Sequence, residues 1–114
     1  MDLSTPVFIQ GVFQFSGQGL SAPAPLGASY TVPYDKRSQL IYFRAGNAAA
    51  SLVNVLLYCN GTPIRYFPVG ANAAEHVPLA VVEDLAPESA IEVYVAAPAG
   101  AAGELVIDIG FMEI

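Results

Sequence analysis

His76 is the only histidine and Cys59 the only cysteine in a chain of 114 residues. A Ser-His-Asp or Cys-His hydrolase needs a base beside its nucleophile, and Glu75-His76-Val77-Pro78 carries no nucleophile-elbow glycines. One His and one Cys cannot supply the usual three or four ligands of a zinc site. Calcium wants closely spaced Asp, Asn and Glu, whereas Glu83-Asp84-Leu85-Ala86-Pro87-Glu88 reads as a solvated turn. Gly17-Gln18-Gly19 runs on to Leu20-Ser21-Ala22-Pro23, with no completed phosphate-binding glycine motif and no helix start. Cys59 closes an apolar run and reads as an inert small hydrophobe. No catalytic residue, metal or cofactor is expected, and an enzyme built on Asp35 or Glu75 with His76 is the least favoured reading.

The residue types best suited to binding are Tyr42, Arg44, Arg65 and Tyr66. Aromatic rings beside a guanidinium can hold a sugar or an anionic small molecule through stacking and charge-assisted hydrogen bonds. Strand geometry sets a limit, because Tyr42 and Arg44 share a face while Arg65 and Tyr66 point to opposite faces. The alternative use of the same residues is structural, with the tyrosines in a core or interface and the arginines paired to acids across a subunit boundary.

The elements that must position them are strands. Nine prolines and ten glycines leave no long amphipathic helix. Strand patterning falls at residues 7–15, 29–32, 39–45, 51–59, 62–67, 75–82, 90–96 and 104–114, with Leu105, Ile107, Ile109 and Phe111 inward on the last. Asn60-Gly61 predicts a two-residue hairpin, since both central residues of that turn need positive φ. Pro63 removes a ladder donor and sends the following strand to an edge or a bulge. Residues 16–28 read as a Gly/Pro/Ala-rich loop, and residues 83–88 as a turn or single helical turn. Seven or eight short strands at this spacing predict one all-β domain over 1–114, an antiparallel two-sheet sandwich of jelly-roll type.

Two central strands carry bulky residues on both faces. Leaving Leu40, Leu52, Leu56 and Tyr58 beside Tyr42 in water would expose a large apolar patch, so a covering partner is expected. The cover is either the 16–28 loop or a second subunit. Charge favours the subunit: eight of the ten acids lie between Glu75 and Glu113, and all four bases between Lys36 and Arg65. A homo-oligomer follows, with a trimer favoured over a dimer because sandwich subunits often pack around a threefold axis.

Composition agrees with a self-sufficient core, at 54% hydrophobic and 12% charged. A net charge of −6 repels phosphates and argues against nucleic acid. Residues 45–64 are uncharged over the length of a membrane helix, but Asn47, Asn54, Asn60 and Pro63 within them argue against a membrane span. With no charged and apolar leader at Met1-Asp2-Leu3-Ser4, a cytoplasmic location is expected.

The stretch from Gln39 to Tyr66, Leu-Ile-Tyr-Phe-Arg-Ala-Gly-Asn followed by Leu-Val-Asn-Val-Leu-Leu-Tyr and a tight turn, resembles strand pairs of small bacterial β-sandwich lectins. The acidic calcium loop through which such lectins bind sugar is missing. The function expected is therefore a non-enzymatic, homo-oligomeric interaction or assembly module, with a small-ligand or carbohydrate-binding domain as the alternative.

Overall fold

The computed structural model describes residues 4–114, the side chains of residues 80–82 apart; the first three residues of the expected 1–114 domain lie outside it. Eight strands follow one another: β1 Thr5–Ser16, β2 Ala24–Thr31, β3 Ser38–Asn47, β4 Val53–Cys59, β5 Thr62–Val69, β6 Ala74–Leu85, β7 Ala90–Ala96 and β8 Ala102–Glu113. They build two four-stranded antiparallel sheets, ordered β1-β8-β3-β6 and β2-β7-β4-β5. Only β4 and β5 are neighbours both in sequence and in a sheet; every other link crosses between the layers, as in a jelly roll. The expected all-β sandwich is the fold observed.

Alternation explains the core. On β8, Leu105, Ile107, Ile109 and Phe111 are all 0 or 1% exposed, and on β7 Ile91, Val93 and Val95 face the same interior. Phe43 from the first sheet stacks on Phe67 from the second, centroids 4.0 Å apart and planes 3° from parallel. That ring pair spans the gap between the layers. Asn47 is buried, its amide donating to the carbonyls of Ser51, Val69 and Gly70 while its Oδ1 accepts from the Ala49 N–H. It pins the β3–β4 and β5–β6 connections to one another at a single end of the sandwich.

The hairpin forms as its sequence requires, with Asn60 at φ 52 and Gly61 at φ 83. Pro63 has both expected consequences, since β5 is an edge strand and its register with β4 shifts between Leu57 and Tyr58. All four edge strands carry proline (Pro6, Pro25, Pro63 with Pro68, and Pro78), and none of the four inner strands does. A proline presents no N–H to an added strand, so the edges are guarded against sheet extension.

Two expectations about segments need correction. Residues 16–28 are not one loop, because β2 begins at Ala24. Its inward residues Leu26 and Ala28 are small or isolated among Pro and Gly, which conceals their alternation. The remaining loop does not drape over a sheet face: Gly17 and Gly19 donate to the carbonyls of Ala101 and Ala97, 2.6 and 2.8 Å away, which ties it to the β7–β8 turn. Residues 83–85 continue β6 instead of turning, and the turn comes at Ala86–Ser89 with Glu88 at φ 67.

At the sandwich end opposite Asn47, the Tyr30 hydroxyl donates to Glu113, 2.6 Å away, and lies 3.1 Å from the Ser38 hydroxyl. Burial, reinforced by the bond to Glu113, pushes Tyr30 up to about 12. The folded chain thus holds this proton more tightly than the unfolded one, where tyrosine titrates near pH 10. The interaction stabilises fully below about pH 10 and is lost as the pH rises through about 12. Urea midpoints at pH 9 and pH 11.5 are therefore expected to differ less in Tyr30→Phe than in the wild type. An equal drop in both proteins would contradict this role for Tyr30.

Candidate functional site

One irregularity in β3 decides what the first sheet shows to solvent. The register against β8 shifts between Leu40 and Tyr42, leaving Ile41 as an extra residue, and the register against β6 shifts at the same place, with residues 79–82 opposite Ile41. Leu40 and Tyr42, two apart, would share a face in a regular strand. Here Leu40 pairs with Phe111 in the core, 1% exposed, whereas Tyr42 pairs with Gly110 on the outside.

From that point the outer face is a grid read across β1, β8, β3 and β6. Phe8, Gly110, Tyr42 and Pro78 form one row; Gln10, Asp108, Arg44 and His76 the next; Val12, Val106, Gly46 and Ala74 a third. Aromatic and apolar groups thus flank a polar stripe. The Tyr42 ring lies across Gly110: a Cβ there would come within 2.0, 2.5 and 2.7 Å of its Cε2, Cδ2 and Cζ. Only glycine lets the ring settle flat on the sheet, with its other face outward. Phe8 lies 6.5 Å away on one side, and His76 meets the ring edge-on at 6.2 Å on the other.

Asp108 is the hub of the polar row. Its Oδ1 accepts from the Tyr42 hydroxyl at 2.9 Å and from Gln10 Nε2 at 3.1 Å, and its Oδ2 lies 3.5 Å from Arg44 Nη1. Burial raises the Tyr42 hydroxyl above the ordinary tyrosine range, the bond to Asp108 adds to this, and Arg44 opposes it. Tyr42 consequently stays a donor. Because Gly46 and Ala74 lack bulk, a hollow of about 410 Å³ opens between Arg44, His76, Val106 and Asp108, within the size range of small-ligand sites. Among the described residues no group of three His, Cys, Asp or Glu side chains could hold a metal ion.

The four expected binding residues do not converge. Tyr42 and Arg44 stand together on this face. Arg65 lies at the open edge between β5 and β6, with Nε 2.9 Å from Glu83, and Tyr66 is exposed on the outer face of the second sheet, opposite Leu56. The expected interface set also divides. Leu40 is in the core, Leu56 is 2% exposed between Tyr66 and Tyr94 in the register, and Tyr58 stacks on Tyr94 at 3.9 Å, leaving only Leu52 substantially exposed. The second faces of β3 and β4 lie on opposite sides of the sandwich and form no single patch.

The charge pattern has the same origin. Arg37 pairs with Asp84, Arg44 with Asp108 and Arg65 with Glu83, all within one chain. Arg37 just precedes β3 and Arg44 lies on it, between acidic β6 and β8, while Arg65 on edge strand β5 meets Glu83 of β6, so charges distant in sequence meet within one chain.

Phe8, Gln10, Val106, Asp108 and Gly110 are site residues that sequence reasoning missed, while His76 on β6 entered it only as a candidate catalytic base. Their outward parity on β1 and β8 is readable. Their meeting is not, because β1 and β8 pair across the length of the chain, Gln10 opposite Asp108.

No protein-family model matches the chain, and no curated protein matches it. Among solved structures it is similar to the CBM36-1 domain of a multidomain xylanase from the hindgut metagenome of Trinervitermes trinervoides, with a TM-score of 0.59 and 16% identity over 95% of this chain and 96% of that one. A family 35 carbohydrate binding module from Clostridium thermocellum gives a TM-score of 0.54 and 12% identity over 94% and 97%. An infectious bursal disease virus subviral particle gives 0.53 and 15% over 98% of this chain, which spans 33% of the viral one. At these identities the likeness is one of fold: the chain is a two-sheet antiparallel β-sandwich of the kind shared by carbohydrate-binding and capsid domains.

Proposed function

We propose that this chain is a non-enzymatic binding module that holds a carbohydrate on the outer face of the first sheet. The observation that carries the reading is Asp108, a single carboxylate gathering Tyr42, Gln10 and Arg44 beside a ring laid flat on Gly110. The exposed ring face suits the C–H face of a sugar. Arg44, with a side chain 57% exposed, keeps N–H groups to donate to hydroxyls, and Asp108 accepts from them. Glycoside hydrolysis needs a second carboxyl roughly 5 to 10 Å from the first across the scissile bond. Glu75 borders the same hollow but pairs in register with inward-facing Ala45, off the outward row that carries Asp108. The shared fold with two carbohydrate-binding domains lends support.

The expected result is a thermal shift or array signal with saccharides that Tyr66→Ala leaves intact and Asp108→Ala removes. A screen without any saccharide hit would overturn the reading.

A second reading, the homo-oligomer with a trimer favoured over a dimer, draws on Phe8, Val12 and Val106, exposed by 49, 62 and 54% on that same face. Since prolines guard every edge, association would be face to face. Light scattering that reports a monomer at micromolar concentration would remove it.

A further inference from the structure

Resting on that reading, we infer that the ligand is a neutral oligosaccharide of more than one residue, lying along the strands across all three rows of the face. The two features suited to a sugar are not in the same place. The ring platform belongs to the Phe8, Gly110, Tyr42 row, and the hollow lies between the Asp108, Arg44, His76 row and the Val106, Gly46, Ala74 row, with Asp108 and Arg44 on the side that faces the platform. Outward residues on one strand are spaced by about 6.7 Å, so the platform and the middle of the hollow, one and a half steps apart, are separated by about 10 Å. A six-membered ring with its exocyclic oxygens, built from bonds of about 1.5 Å, covers only about one such step. One sugar therefore engages the platform or the hollow, and a chain of two or three engages both, with the polar stripe reading hydroxyls in the middle.

Charge selects the neutral class. Arg44 is already matched by Asp108, Glu75 also borders the hollow, and the whole chain carries −6. A uronate or sulfated glycan meets repulsion with no unmatched cation among the described residues of this face to offset it.

The test is calorimetric titration with gluco-, xylo- and manno-oligosaccharides of one to six residues, with polygalacturonate as the acidic comparison. In the series that binds, affinity is expected to rise at least tenfold from one residue to three and then level off. Gly46→Leu is the decisive variant, because the nearest atom to an added Cβ is Val106 Cβ at 3.8 Å and the new side chain fills the hollow without crowding the backbone. It is expected to keep its melting temperature, lose the gain with length, and retain the weak binding of a monosaccharide. Tyr42→Ala is expected to lose that gain from the other side. A monosaccharide bound as tightly as the hexasaccharide would overturn the extended ligand while leaving carbohydrate binding in place. Tighter binding of polygalacturonate would overturn the neutral class. Absence of binding throughout would overturn the underlying reading itself.

Discussion

Phe43→Ala is expected to lower the unfolding free energy by about 3 to 5 kcal/mol, the usual range for truncating a fully buried phenylalanine. Phe43 is 0% exposed on an inner strand, and its ring faces Phe67 at 4.0 Å across the sandwich. Truncation removes apolar contacts from both layers at once. The cavity left behind cannot close by a strand shift, because β3 is held by β8 on one side and β6 on the other. Domains of this kind have only about 5 to 15 kcal/mol to lose, so the variant should sit near the limit of folding at room temperature. Urea titration should show the midpoint falling with an unchanged slope. The stacked pair adds a coupling of about 0.5 to 1.5 kcal/mol in a double-mutant cycle with Phe67→Ala. A loss under 1 kcal/mol would mean that the two rings do not hold the layers together.

Tyr42→Ala is expected to weaken saccharide binding by 30-fold or more, corresponding to about 2 kcal/mol for a central aromatic contact. The substitution removes the stacking surface and one of the two uncharged donors that orient Asp108. Tyr42→Phe keeps the ring and gives up only the hydroxyl, so its loss should be about fivefold, as for one hydrogen bond of ~1 kcal/mol. Gly110→Ala reaches the same end without touching Tyr42. Its Cβ would stand 2.0 Å from Cε2 of the ring, and the ring must swing off the sheet and away from Asp108. Binding should fall as far as in Tyr42→Ala, while the inward core of β8 stays in place. If Gly110→Ala bound normally, the flat ring would not be the platform.

Much of the scaffold is readable from local signals. Asn60-Gly61 announces its hairpin, and the alternation of β7 and β8 gives the core residues directly. The placement of proline carries the same signal on every edge: Pro6, Pro25 and Pro78 mark their strands as edges in the way that Pro63 marks β5. The site is a different matter, because it depends on register. A single extra residue at Ile41 reverses which face Leu40 shows, and no residue type at that position demands a bulge. With that reversal the expected surface of Leu40, Tyr42, Leu56 and Tyr58 separates into core, first face and second face. Likewise, the imbalance between a basic middle and an acidic carboxy-terminal part reads in the sequence as two complementary surfaces. The strand order satisfies it locally, with Arg37 beside Asp84 and Arg65 beside Glu83.

Titration of the isotope-labelled protein with the best-binding neutral oligosaccharide, followed by amide chemical shifts, is the most direct test of where the ligand sits. The prediction is that the largest changes fall on Tyr42, Arg44, Gly46, His76, Val106, Asp108 and Gly110, with Leu56, Tyr58, Tyr66 and Tyr94 unmoved. Changes centred on that second set would place the ligand on the opposite sheet and contradict the assignment of the first-sheet face.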